Sequence, residues 1–158
     1  MFLTTTCCYG LQAMFYIAEH SDKNTIVDVQ EIAISKHLPA HFLSKILNQL
    51  VKKELLLSYK GQGGGYRLRK NASEISILDV INALDGNVLF EKCGLLFQDC
   101  STDHSCPIHD SFRQEMNVME SLFTTKKLSD NDMMQMAKSC SPCSAGAESE
   151  KTVFNDSL

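Results

Sequence analysis

The chain has 158 residues, 44% of them hydrophobic, and a formal charge of −4, enough for one domain with a core and an appended arm. No apolar run approaches the length of a membrane span, and MFLTTTCCYGLQ lacks the basic start and apolar stretch of a signal peptide; the expected setting is cytoplasmic, with no membrane partner. There, seven cysteines (Cys7, Cys8, Cys93, Cys100, Cys106, Cys140 and Cys143) argue for metal or redox chemistry, and their odd count fits a disulfide framework poorly.

From Thr5 to Glu19, Leu11, Met14, Phe15 and Ala18 recur at helical spacing. Cys7 reads as a small buried residue of that helix. Asp28 suits the cap of a short helix carrying Val29, Ile32 and Ala33. After a break at Lys36–Leu38, Pro39 suits a first helical turn, and Leu43, Ile46, Leu47 and Leu50 form a second apolar stripe. Two short helices across a tight break read as a helix-turn-helix. The second would enter the major groove with its early residues, Ala40, His41, Ser44 and Lys45, toward base edges.

Leu55 to Tyr59 then reads as a strand, and Gly65 to Arg69 as its return, with Tyr66 and Leu68 on one face and Arg67 and Arg69 on the other. Gly61, Gly63, Gly64 and Gly65 permit positive φ and close backbone approach. A hairpin in this position is a wing, with Lys60 and Gln62 near its tip, within reach of phosphates or the minor groove. A nucleotide-binding loop is a poor reading of the glycines, because no Gly-Lys-Ser/Thr ending follows.

Charge follows the same division. Residues 36–70 hold eight Lys or Arg against the single acid Glu54, a balance of +7, while the remainder carries −11. Segregated basic charge is an electrostatic footprint for phosphate. Lys52, Lys53, Lys60, Arg67 and Arg69 are the expected phosphate contacts on a double-stranded DNA operator, and binding should depend steeply on salt.

Ser76 and Asp79 form a capping box opening a helix with Ile77, Val80, Ile81 and Leu84, ending near Asp85-Gly86-Asn87. CGLLFQDCSTDHSCPIHD follows: six residues separate Cys93 from Cys100, five separate Cys100 from Cys106, and His109 comes three positions later. Soft sulfur ligands at this density can wrap one metal centre, and an iron–sulfur cluster is the expected one. Zinc and a cluster-free thiol–disulfide sensor are the alternatives; zinc prefers paired short spacings, and only Cys106 and His109 are so paired. His109 is either a ligand or a residue bonding at the start of the next helix.

From Ser111 a long helix carries Phe112, Met116, Met119 and Phe123, spaced to pack against a partner and expected to serve dimerisation. Ser129 is the expected cap of a last short helix with Met133, Met136 and Ala137. Beyond it, Cys140-Ser-Pro-Cys143 sits in a small, polar tail expected to be disordered or loosely held, with no assigned role. His20, His37 and His104 read as surface or loop residues. The expected fold is mainly α with a small β-hairpin: a winged helix-turn-helix plus a long dimerisation helix. Its divisions are a DNA-binding domain over 1–90, a cluster-binding loop over 91–110, the helical arm over 111–138 and the tail over 139–158.

Taken together, Leu3-Thr4 with Tyr9 and Ala13-Met14, the stretch LPAHFLSKILNQL, the wing KGQGGGYRL, the segment ISILDVINALDG and the three-cysteine loop closely resemble the IscR/NsrR-type winged-helix transcription regulators, the Rrf-two family, over roughly residues 1–125. The resemblance implies a homodimer on a partly palindromic operator, with a cluster held by Cys93, Cys100 and Cys106 controlling affinity or site choice. It also implies a fourth ligand, either His109 or, from near the N-terminus of the partner subunit, Cys8 where some relatives have a carboxylate. The six-residue gap after Cys93 departs from the five common in the best-known members, and the cluster stays open between a two-iron and a four-iron form. A small iron–sulfur or thiol redox protein is the reading from a different class, but it would need neither the basic segment nor a wing. No acid–base constellation suggests an enzyme.

Overall fold

The computed structural model describes residues 3–20, 25–86 and 107–139. Helix α1 spans Thr5–Glu19, and Thr4 starts it by accepting the Cys7 N–H on Oγ1 at 3.1 Å, a cap worth about 1 kcal/mol. Cys7, Ala13, Met14, Phe15, Ile17 and Ala18 are all buried, so α1 is a central helix covered on most sides. Helices α3 and α4 both pack on it.

Asp28 caps α2 (Val29–Lys36), accepting the Gln30 N–H at 3.2 Å. The helix stops at His37, which turns left-handed at φ 53° and sends its N–H back to Ile34 O, while Leu38 N–H reaches Ala33 O. This termination creates the break between the two helices. Pro39 stands at the N-cap of α3 (Ala40–Lys52) rather than inside its first turn. Leu43, Ile46, Leu47 and Leu50 are buried along one side of α3, against α1 and α2.

Strands β1 (Leu56–Tyr59) and β2 (Gly65–Leu68) pair antiparallel with Leu56 opposite Leu68 and Tyr59 opposite Gly65. Each is one residue shorter than the sequence suggests. Leu55 N–H turns back to Leu50 O, and Arg69 N–H closes the ladder on Leu55 O. Tyr66 and Leu68 are buried, as the alternation predicts. Gly61 and Gly63 take positive φ at the tip. Gly65 serves a different purpose: a Cβ there would lie 2.3 Å from Val27 O. That close approach lets Val27 pair with Tyr66 through bonds of 2.9 and 2.8 Å, tying the wing to the segment before α2.

A short 3-10 turn, Ala72–Glu74, is closed by a capping box between Asn71 and Glu74. Helix α4 (Ile77–Leu84) opens on the predicted box, with Ser76 and Asp79 exchanging bonds of 2.8 and 3.1 Å. Helix α5 spans His109–Thr125 and packs on α4. After it the chain returns to the core: Ile77 N–H bonds Lys126 O and Leu128 N–H bonds Ile75 O, both at 3.0 Å. Helix α6 (Asn131–Ser139) then lies on α1. Asp130, not Ser129, stands before it, since Asp130 O accepts the Met134 N–H and begins the helical ladder. Met133 and Met134 touch the core and Ala137 is buried, while Met136 is exposed.

Three helices approach one another closely at Gly10. A Cβ there would meet Leu84 Cδ1 at 2.2 Å and Ile46 Cγ2 at 3.3 Å. Gly10→Ala should therefore overpack the α1–α3–α4 junction and cost about 1–3 kcal/mol, read as a lower urea midpoint at unchanged slope. A midpoint equal to wild type would mean that Leu84 swings clear without loss.

Candidate nucleic-acid interface and cysteine segment

Because α3 buries Leu43, Ile46, Leu47 and Leu50, its other side must face solvent, and there His41, Lys45 and Lys52 are exposed in helical register. Asn48, absent from the expected set, lies on the same strip; its spacing of three from Lys45 and four from Lys52 is the signal that places it there. The Asn48 carbonyl accepts the Tyr66 hydroxyl at 3.2 Å, fastening the strip to β2. Ser44 is half-buried and its hydroxyl donates to Ala40 O at 2.9 Å, which leaves only its lone pairs for a ligand. Lys52 occupies the last turn of α3 and Lys53 its C-cap, where cationic side chains suit the negative helix end.

On the wing, Lys60 and Gln62 are exposed. The Arg67 guanidinium lies over the Tyr59 ring at 5.6 Å, which fixes its direction at low entropic cost. Arg69 is engaged differently. Its guanidinium pairs with Glu54 at 3.3 Å, and both side chains are largely exposed, so the pair itself contributes only about 0–1 kcal/mol. Glu54 also holds a left-handed backbone, φ 60°, which costs a side-chain-bearing residue roughly 1 kcal/mol.

Glu54→Gly would relieve that backbone and release Arg69. It should tighten duplex binding and steepen the salt dependence by about one phosphate contact per protomer, measured by fluorescence anisotropy between 50 and 200 mM salt. An unchanged slope would remove Arg69 from the phosphate contacts.

Cys93, Cys100, Cys106, His104, Cys140 and Cys143 lie outside the described residues. The two ends of the cysteine segment are described. On one side α4 stops at Asp85, whose carboxylate accepts both the Thr4 N–H, at 3.1 Å, and the Thr4 hydroxyl. This fixes the start of α1, and with it Cys8, to a residue eight positions before Cys93. On the other side the segment runs into α5, which begins at His109 rather than Ser111, so His109 occupies the first helical turn, half-buried.

Cys7 is fully buried, and its thiol is pushed up to about 12 by burial and then by the Asp85 and Cys8 charges. It stays protonated at neutral pH and is a poor metal ligand. Cys8, next to it, is half-buried. Among the described residues no group of three or more His, Cys, Asp or Glu could hold a metal ion. The donor chemistry of the whole set, three thiols with His109 or Cys8, fits an iron–sulfur centre, and the helices on either side of the segment, α4 and α5, pack on each other.

On α5 Met116 is buried, Phe123 packs on the core, and Phe112 and Met119 are half-buried within the protomer. Val118 and Leu122, 62% and 52% exposed, are the apolar residues it leaves open. No helix among the described residues is long and apolar enough to cross a membrane.

The sequence profile of a family described as Rrf2, iron-dependent transcriptional regulator, matches residues 3–131. The transcriptional regulator IscR of Vibrio atlanticus is 30% identical over 141 residues, covering 87% of this chain and 80% of its own. The solved structure of T. potens IscR superposes with a TM-score of 0.64 at 27% identity, covering 85% of this chain and 87% of that one. CymR, the global cysteine regulator of B. subtilis, gives a TM-score of 0.70 at 21% identity, covering 81% and 93%, and shares the fold. The matching family and the Vibrio relative are described as transcriptional regulators, not as enzymes.

Proposed function

Because the chain belongs to the Rrf2 family of transcriptional regulators, we propose that it works as a homodimer whose grip on a partly palindromic operator is set by an iron–sulfur cluster at Cys93, Cys100 and Cys106. DNA binding as such follows from the family. The observation that supports the finer reading is that α4 contacts the recognition helix α3, and Cys93 follows nine residues after α4 ends at Leu84.

His41, Asn48 and Lys45 on α3 would face base edges, with Ser44 able only to accept. Lys52, Lys53, Lys60 and Arg67 would hold phosphates, joined by Arg69 once it leaves Glu54, while Lys60 and Gln62 could also follow the minor groove. Val118 and Leu122 would meet their copies in the partner, spacing two α3 helices for half-sites about 34 Å apart. Cys93, Cys100 and Cys106 would give up their protons to bind iron, with His109 or Cys8 of the partner subunit completing the set. When bound, such a cluster supplies a crosslink that oxidant, nitric oxide or iron starvation can dismantle.

Single Cys→Ala variants at 93, 100 and 106, purified without oxygen, test the reading. Each should lose iron, sulfide and visible absorbance, and with them the difference in DNA affinity between anaerobic and air-exposed samples. A response that persists in colourless protein would instead favour a thiol–disulfide switch, and stoichiometric zinc would favour a structural metal.

A further inference from the structure

Of the apolar residues of α3, all within the described part of the chain, Leu43, Ile46, Leu47 and Leu50 are buried, and Ala40 and Val51 pack partly against the same core. Phe42 is the exception. It is 36% exposed, in the first turn of the helix, beside His41 and three residues before Lys45, both also exposed. Residues three apart are neighbours on a helix surface, and a Cβ leans toward the helix N-terminus. The ring therefore stands next to the basic strip, at the end of α3 assigned to the groove. From α1, the Tyr9 ring meets it edge to face, with centroids 6.0 Å apart and planes at 83°. That packing favours one ring orientation, so a ligand finds the exposed part already placed.

The surroundings select what can cover it. Helix α3 contains no Asp or Glu, and Lys45, Lys52 and the capping Lys53 make it cationic. A partner that suits both the ring and the lysines must be anionic and still carry a small apolar group on its surface. Duplex DNA is such a partner: in the major groove thymine presents its C5-methyl beside the O4 acceptor, an apolar group that the other three bases lack. We infer that Phe42 is a specificity-determining residue whose ring packs on a thymine C5-methyl in each half-site. The inference rests on the reading of α3 as the helix that enters the major groove, and it adds an apolar contact to the polar ones given to His41, Lys45 and Asn48. A protein surface over Phe42 is the competing occupant, and it would leave DNA binding blind to the methyl group.

Exchange of thymine for uracil removes that methyl and keeps every hydrogen-bonding group. The anaerobically purified full chain first selects duplexes from a randomised pool. Each thymine of the preferred sequence is then exchanged singly for uracil, and binding is titrated by fluorescence anisotropy. Wild type should lose about fourfold at one thymine of each half-site, the transfer value of one buried methyl group. Phe42→Ala and Phe42→Gln should bind the thymine and uracil duplexes equally, and selection with Phe42→Ala should no longer favour thymine at that position. A ring that only packs on Tyr9 would behave otherwise: its loss would lower affinity for both duplexes and leave the fourfold ratio standing.

Wild-type binding indifferent to uracil at every thymine, or a preferred sequence without thymine, would overturn the inference, as would an unaltered ratio in the variants. A pool that yields no preferred sequence overturns the placement of α3 and the inference with it, and that failure shows before any uracil is introduced. If one variant fails to fold, the other decides. If neither folds, a wild-type loss at one thymine of each half-site supports the proposal and indifference overturns it.

Discussion

Replacing Lys52 and Lys53 together by alanine should weaken binding to every duplex alike, while Lys45→Ala should change which sequences are preferred. The difference follows from position. Lys52 and Lys53 end α3, exposed beside its C-terminus, whereas Lys45 lies in its first half on the strip with His41 and Asn48. A helix entering the major groove by its N-terminal half brings those residues to base edges and leaves its far end near the backbone. Each lost phosphate contact removes about 0.9 from the salt slope, or roughly tenfold in affinity at 0.1 M salt, so the pair should cost about a hundredfold per protomer. Lys45→Ala should cost about 1–3 kcal/mol on the preferred sequence and less on others. Competition titrations with operator and scrambled duplex at two salt concentrations separate the two behaviours. If they exchange places, α3 lies the other way round in the groove.

Leu47→Ala should cost about 2–5 kcal/mol of folding stability, a large share of the marginal total of a domain this size. Leu47 is wholly buried, between the helix-turn-helix and the central helix, with Leu43, Ile46 and Leu50 beside it on α3. The cavity would open under the strip that carries Lys45 and Asn48. Affinity for DNA should then fall only as the folded fraction falls, and binding near 10 °C should approach wild type. Urea unfolding followed by circular dichroism reads the stability, and a loss under 1 kcal/mol would mean that the core around α3 closes over the space.

Much of this arrangement is written locally in the chain. The α1 limits, the Asp28 cap, the α3 stripe and the Ser76–Asp79 box are all short-range patterns, and each is present in the structure. The same reasoning could have found the Asn71–Glu74 box, which repeats the three-residue spacing of Ser76–Asp79. Contacts between distant segments leave no period to detect. Val27 pairs with Tyr66, Thr4 with Asp85 and Leu128 with Ile75 because the folded core brings them together.

Phase errors have a physical cause too. On α6, Lys36 donates to Ala137 O at 3.0 Å and Lys138 pairs with Glu19 at 2.7 Å. In this docking Met134 faces inward and Met136 outward. On α5 the apolar stripe was legible, but spacing alone does not separate a helix that covers its own core from one that meets a second copy. The basic strip follows from charge segregation; the pairing of Arg69 with Glu54 depends on the left-handed turn at Glu54, which its residue type disfavours.

A chain that couples a basic recognition surface to a thiolate-bound cluster must change its grip on DNA when the iron is lost. The most direct test takes a single anaerobic preparation, titrates it with operator duplex, strips it of iron with a chelator, and titrates it again at the same salt. The starting sample should be coloured, the two isotherms should differ clearly, and the first should return when ferrous iron and sulfide are restored. Superimposable isotherms from a sample shown to have gained and lost its iron would contradict that coupling.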